Sequence, residues 1–505
     1  MYTPITEITD LKSKKFFIEK IELFLKITKA FSEKHHLQLD LNTCIDDFII
    51  HKLLKLNIIS KPEHIILLKK TLKKDVFNDF VSALHFQRNN LKKLGNTLDK
   101  LDPLKRKQAQ KKADKSSDPR IIDFFCGAGG LSLGFRQEGF HIDLANDYEA
   151  VCIETFKYNH PEVPENRVIH GDIREIVNHI ENYIDKEIDV VVGGPPCQGF
   201  SSANQQRVID DPRNELYKYF IIGITKIAPK FVVMENVRGM LPYADQVVED
   251  YHNISLKKNG KTLSYDVAYK VMVSDNFGVA QKRQRLIFIA VRNDISKSNN
   301  ITPQQIINEI DKSSENVKRH VLKDALAHIK PLEAPRVKNM TDIDDEITGK
   351  KVDVNQFQGN ENSYLKLINE GRKIEYVFNH KARYTNDINY EIYETLEQGE
   401  DGTSEKIKHV MPYKHRNHIF KDKYFKLIED KPSRTITAHL KMDCHSHIHP
   451  RQVRSITPRE AARIQSFSDD YVFLGAYLKT YMQIGNAVPP VMARGIAKVL
   501  KNYIK

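Results

Sequence analysis

The sequence predicts an α/β fold: a parallel sheet covered by helices, a helical domain ahead of it and a smaller, irregular domain inserted late. Three observations lead there. From residue 120 onward, short β-branched runs alternate with helix-patterned stretches. Residues 1–118 contain a single glycine, Gly95, and carry apolar residues at helical spacing. Residues 294–450 are more polar and lose the alternation. A chain of 505 residues suits about three domains.

In the first segment, Phe17, Ile21, Leu23, Phe24 and Ile27 mark one helix, and Ile65 to Phe80 hold a second periodic run. The segment ends in LDPLKRKQAQKKADKSSDPR, a basic polar linker. Net charge is +12, from 78 basic and 66 acidic residues, and it is unevenly spread. Residues 51–120 hold 18 basic and 7 acidic residues, a net of +11. Such a block is the footprint of a polyanion partner. A solvated, lysine-rich helical surface explains it equally well.

The α/β part starts at IIDFF, a strand, then a glycine-rich turn and the helix LSLGFRQEG. HIDLAND, Ile188–Gly194 and Pro229–Val237 are further buried-strand runs with turn chemistry behind them. Residues 456–505 return to strong helix patterning. The boundaries are therefore 1–118, 119–293, 294–450 and 451–505, the last returning to the sheet domain.

Several classes are excluded. No uncharged apolar run of about 18 residues offers a membrane span. The N-terminal residues lack a signal-peptide pattern, so a cytoplasmic location is expected. Five cysteines without a CxxC pair make neither a disulfide framework nor a zinc ribbon.

Four segments carry chemistry. In Phe124–Gly130 the glycines let backbone approach a ligand closely, and Asp147 follows Gly127 by 20 residues, the spacing for gripping ribose hydroxyls. In Gly193–Ser201 two prolines fix a loop after a buried strand, presenting Cys197 at the sheet's carboxyl edge as a candidate nucleophile. In Met234–Gly239, Glu235 reaches the same edge and can move a proton. In Gln281–Arg292, Arg283 and Arg285 are spaced by two before a strand and share a face. Singly, each has a bland reading as a tight turn, an inert thiol or a surface arginine.

Together, in the order IIDFFCGAGG, NDYE, GDI, GGPPCQGFS, MENV, QKRQR, RSITPREAARIQSF and QIGNAVPP, they resemble the cytosine-5 DNA methyltransferase family, from about residue 120 to 505. The resemblance implies a Rossmann-like sheet binding S-adenosylmethionine, a target-recognition domain, and duplex DNA as substrate, with a cognate restriction endonuclease as functional partner. Phe125, Gly127, Gly129 and Gly130 would meet the methionine part of the cofactor. Asp147 would hold the ribose and Tyr148 lie on the adenine. Asp172 and Ile173 would flank the adenine edge, and Pro196, Leu216 and Asn486 would complete the pocket. Cys197 would be the nucleophile, Glu235 a proton donor to ring nitrogen 3, and Arg285, with Arg283 beside it, would steady the carbonyl at position 2. Gln198, Ser201 and Thr435 would contact DNA.

Two other readings share the architecture: a tRNA cytosine-5 methyltransferase, and a non-catalytic DNA-binding regulator. The alternation in Asp443–His449 would put three histidines on one strand face, but no metal site is assigned. His380, Lys381, Arg383 and Tyr413–His418 are groove or phosphate candidates, with ordinary structural roles favoured for each.

Overall fold

The structure is a computed structural model and describes residues 3–39, 41–94, 97–196, 214–258, 261–355, 362–412 and 423–504. Helix α1 (Leu11–His35) begins where the Asp10 carboxylate accepts hydrogen bonds from the Lys12 and Ser13 amides. It ends where His36 turns left-handed. Its apolar stripe (Phe17, Ile21, Phe24, Phe31) packs with residues of α2 (Asp47–Lys55) and α3 (Lys74–Asn89). Helix α4 (Pro103–Asp114) leads toward the sheet.

This helical core does not close on itself. It continues into Tyr158, Val352, Tyr376, Phe378, Val472 and Leu474, which belong to later segments. Ion pairs cross the same boundary: Lys20 with Glu154, Lys26 with Asp344, Lys34 with Glu375 and Lys100 with Asp470. Part of the basic charge near the N-terminus is thus matched within the chain.

The central sheet has seven strands: β1 (Arg120–Phe124), β2 (His141–Asp147), β3 (Val168–His170), β4 (Val190–Gly193), β5 (Phe231–Val237), β6 (Tyr265–Val273) and β7 (Gln284–Arg292). Their order is β3-β2-β1-β4-β5-β7-β6. The first five run parallel. β7 is antiparallel to β5, and β6 to β7, because a short turn joins them instead of a crossover helix. Alternate residues face opposite sides, so Val190 and Val192 enter one core and Val191 the other.

Helices α5 (Gly130–Gln137), α6 (Ala150–Asn159) and α7 (Glu215–Ile227) cover the sheet. α8 (Pro303–Glu315) contributes Ile306, Ile307 and Ile310 to the same core as β1 and β4. The C-terminal helices are α9 (Pro458–Ile464), α10 (Tyr477–Asn486) and α11 (Pro490–Lys501). α5 and α11 touch backbone to side chain: a Cβ on Gly134 would lie 2.5 Å from both Ala493 Cβ and Pro490 O. A hairpin of β8 (Gly349–Val354) and β9 (Tyr376–Lys381) rests on α1.

Candidate active site

The parallel strands end at one edge, and their register sets the site. β1 runs into a loop in which Phe125 has φ 59° and Gly127 φ 54°, conformations that only a well-held turn maintains. The Cys126 amide donates to Asn146 O at 2.9 Å and the Gly129 amide to Cys126 O at 2.9 Å. Asp147, at the end of β2, holds the loop from the other side. Its Oδ2 accepts the Gly127 amide at 2.9 Å and its Oδ1 the Glu149 amide at 2.8 Å. Burial pushes the Asp147 carboxyl above its ordinary pKa, and the two amides pull it back.

β4 ends in Gly193 and Gly194, both forced by close approach: added Cβ atoms would lie 2.5 Å from Phe124 O and 2.9 Å from Glu235 Oε2. Pro195 is anchored by Asn236 Nδ2, which donates to its carbonyl at 3.0 Å. Glu235 on β5 pairs across the sheet with Ile287, which leaves Arg285, two residues along β7, on the same face. Arg285 Nε lies 2.6 Å from Glu235 Oε1. Arg283 is buried and donates to Ile436 O at 2.6 Å and Gly485 O at 2.9 Å, tying the segment at Ile436 to α10. Burial, then the neighbouring Arg285, bring its pKa down to about 9.

These ends enclose one cavity of about 480 Å³. Phe125, Gly127, Gly130 and Asp147 line one part, Pro196, Glu235, Arg283 and Arg285 another, and Asn486 also stands in the wall. Other expected residues stand outside that wall. Gly129 makes room for packing, since a Cβ there would lie 2.8 Å from the Tyr471 hydroxyl. Tyr148 is 74% exposed. Asp172 caps a short helix and is ion-paired with Arg174, whose hydrogen bond holds its carboxyl below the ordinary range. Ile173 is buried and Leu216 half-buried in the core under the sheet. Thr435 Oγ1 donates to Lys282 O at 3.0 Å. Cys197, Gln198, Ser201 and Tyr413–His418 lie outside the described residues.

Among the wall residues not anticipated as site residues, two carry polar atoms without partners among the described residues. Asp123 is buried in β1; its Oδ2 accepts from Ser132 Oγ at 2.6 Å, and its Oδ1 has no partner among the described residues. Burial raises its pKa to about 7. An acid inside an apolar strand was the available signal. Gln483 donates to Leu474 O at 2.8 Å and leaves Oε1 unpartnered among the described residues. It opens the QIGNAVPP motif, of which only Asn486 was expected in the pocket.

The histidine alternation proves not to be a strand. His445–His447 form a 3-10 turn. His445 Nδ1 meets the Tyr393 hydroxyl, His447 Nδ1 the Ser446 hydroxyl, and His449 Nδ1 accepts the Arg451 and Gln452 amides. The groove candidates also have structural partners. His380 binds Thr457 Oγ1 and Lys330 O, Lys381 pairs with Asp345, and Arg383 donates to Leu440 O and Met442 O.

The match to known proteins covers the same ground. Residues 119–502 match the family model for C-5 cytosine-specific DNA methylases. The type II methyltransferase M.AgeI of Thalassovita gelatinovora is 30% identical over 443 residues, spanning 76% of this chain and 99% of that protein. M1.HphI of Haemophilus parahaemolyticus is 31% identical over 385 residues, spanning 75% and 86%. The crystal structure of a DNA modification methyltransferase encoded within an E. coli prophage aligns with TM-score 0.56 and 26% identity, over 77% of this chain and 99% of that one. No helix among the described residues is long and apolar enough to cross a membrane.

Proposed function

This chain belongs to the C-5 cytosine-specific DNA methylase family, and we propose that it transfers a methyl group from S-adenosylmethionine to carbon 5 of a flipped-out cytosine in a specific duplex sequence, through a covalent adduct of Cys197. The observation that carries this is the single cavity shared by the Phe125–Asp147 loop and the Glu235–Arg285 pair, with Pro196, the neighbour of Cys197, in its wall.

The cavity suits the cofactor. Asp147 offers a carboxylate to ribose hydroxyls, and the unpartnered Asp123 Oδ1 and Gln483 Oε1 are acceptors suited to a cationic end. When bound, S-adenosylmethionine supplies an electrophilic methyl group. The chain's residues supply a nucleophilic carbon 5. The Cys197 thiolate bonds to ring carbon 6, and the displaced electron pair moves toward carbon 5. Once it has taken up a proton, Glu235 would hydrogen-bond ring nitrogen 3 and relieve the charge that builds there. It is ion-paired with Arg285 in the cavity, so cytosine entry must redirect that pair, and Arg285 is then freed toward the carbonyl at position 2. Arg283, held by two backbone carbonyls, fixes the wall behind them. Carbon 5 would take the methyl group as the methyl–sulfonium bond breaks, its electron pair staying with the departing thioether; a base then removes the carbon 5 proton, that electron pair re-forms the ring double bond, and Cys197 leaves as the thiolate. A stacked cytosine cannot reach this cavity, which is why the base must leave the helix. The type II designation of the relatives supports a modification role beside a cognate restriction endonuclease.

The test is a covalent trap. Duplex DNA carrying 5-fluorocytosine should bind irreversibly in the presence of S-adenosylmethionine, since fluorine cannot leave as a cation. The adduct should map to Cys197 and vanish in Cys197→Ala. An adduct that persists in that variant, or maps to the buried Cys126, refutes the assignment. Methyl transfer to tRNA but not to duplex DNA would refute the substrate.

A further inference from the structure

Helix α1 lies outside the matched family region, yet it reaches the cavity wall. Phe16 packs against a cluster of Val151, Cys152 and Met482, beside Ala438. Of these, Cys152 and Ala438 line the cavity. One turn further, Glu19 Oε1 accepts the Gly475 amide at 2.7 Å and the Lys351 ammonium at 2.5 Å. Lys20 pairs with Glu154 of α6 at 2.5 Å. Gly475 has φ +95°, and a Cβ there would lie 2.3 Å from Val151, so this turn presses directly on the first turn of α6.

Four pieces therefore meet at α1. They are the first turn of α6, which follows Asp147 and Tyr148; the turn that opens α10, whose far end carries Gln483 and Asn486; the segment at Ala438; and Lys351 on β8. The Glu19 side chain is 11% exposed and that of Lys351 26%, so removing the carboxylate would take a shared acceptor from the Gly475 amide and the Lys351 ammonium at a half-buried site.

We propose that α1 is a positioning element of the cofactor pocket: Phe16 and Glu19 set the spacing between α6 and α10, and Lys351 links the β8–β9 hairpin to the same carboxylate. This rests on the cofactor reading above. It gives the N-terminal domain a task other than gripping DNA, because α1 spends Lys20, Lys26 and Lys34 on acids of its own chain.

Calorimetric titration of the full chain with S-adenosylmethionine tests it. Coupling between a support and a site it does not touch is commonly fivefold or more, so Glu19→Ala should weaken binding by about tenfold. Glu19→Gln keeps an acceptor for the Gly475 amide and should recover most of the affinity. Phe16→Leu, a mild change at a half-buried position, should weaken binding by about threefold and guards against misfolding of the alanine variant. Leu53→Ala opens a hole in the helical core away from the junction; it should lower the melting temperature and leave binding unchanged. Unaltered affinity in both Glu19→Ala and Phe16→Leu overturns the proposal. So does a loss in Leu53→Ala equal to that in Glu19→Ala, which would make the effect one of general stability. An unaltered chain that fails to bind S-adenosylmethionine removes the cofactor reading itself, and its own isotherm distinguishes that result from the others.

Discussion

Asp147 holds the β1 loop in this structure, and the ribose-binding role proposed for it can be measured apart from that. Its carboxylate holds the Gly127 and Glu149 amides, and it faces the cavity where ribose hydroxyls are expected. Hydrogen bonds to a charged group contribute about 1.5–3 kcal/mol each. Burial, the cause that raises its pKa, offsets part of that, so the net loss in Asp147→Ala should be roughly 2 kcal/mol. For a folding unit of a few hundred residues this is about 4–8 °C in the melting temperature of the cofactor-free protein. Cofactor affinity should fall by at least about tenfold, one charge-assisted hydrogen bond's worth. Asp147→Asn keeps one oxygen, which can serve one amide, so its melting temperature should fall midway while its affinity stays close to that of the alanine variant. Calorimetry and thermal melts on the same samples give both readings. Weakened binding with an unchanged melting temperature would refute the loop-holding role; the reverse would refute the ribose role. Because its pKa is raised, the unaltered protein should begin losing cofactor affinity, as pH falls, at a higher pH than an exposed aspartate would set, and Asp147→Asn should lack that dependence.

Further outcomes follow from neighbouring residues. A Cβ on Gly485 would lie 2.2 Å from the Thr437 carbonyl carbon and 2.3 Å from the Ala438 amide, both backbone. Gly485→Ala should therefore push α10 and the Thr437–Ala438 backbone apart, costing both stability and cofactor binding; an unchanged melting curve would contradict the packing. Asp123 has its pKa raised to about 7 from 3.8, so folding takes up a proton there. Its contribution is fully present below its unfolded pKa and is lost as pH rises through about 7. The stability of the cofactor-free protein should accordingly fall more steeply between those limits than that of Asp123→Asn, and parallel pH curves for the two would refute the shift.

Much of the sheet was legible because burial writes itself into short sequences. The runs before Gly194 and Val237 are apolar on both faces, as strands between two helical layers tend to be, while IIDFF and HIDLAND are buried on both faces despite Asp123, His141, Asp143 and Asn146. β3, of three residues, and the edge strand β6, with its mixed burial, carry too little of that signal. The site residues were legible where backbone chemistry demands them, at Gly127, Pro196 and Glu235. Arg283 was found, but its partners at Ile436 and Gly485 were not, since they lie 153 and 202 positions away. The same distance hid the junction at Glu19: no local pattern says that an acid on a helix will meet Gly475. The histidine alternation misled because a period of two also fits a turn whose rings each find a separate partner.

The cavity is assembled from opposite ends of the polypeptide, and this gives it a place in time. Ala128 O receives the Tyr471 hydroxyl from 343 positions downstream, and Glu19 waits for an amide 456 positions later. At ribosomal speeds of about 5–20 residues per second, the first helix is in the open for tens of seconds before Gly475 is made. Through that interval α1 can pack with α2 and α3 and Phe16 can meet Val151 and Cys152, but Met482 and the Gly475 amide are missing, and the growing chain has no complete pocket for a ligand to stabilise. A synthesis product that stops short of α10 would keep the β1 loop and the Glu235 strand but lack the wall that Gln483 and Asn486 supply.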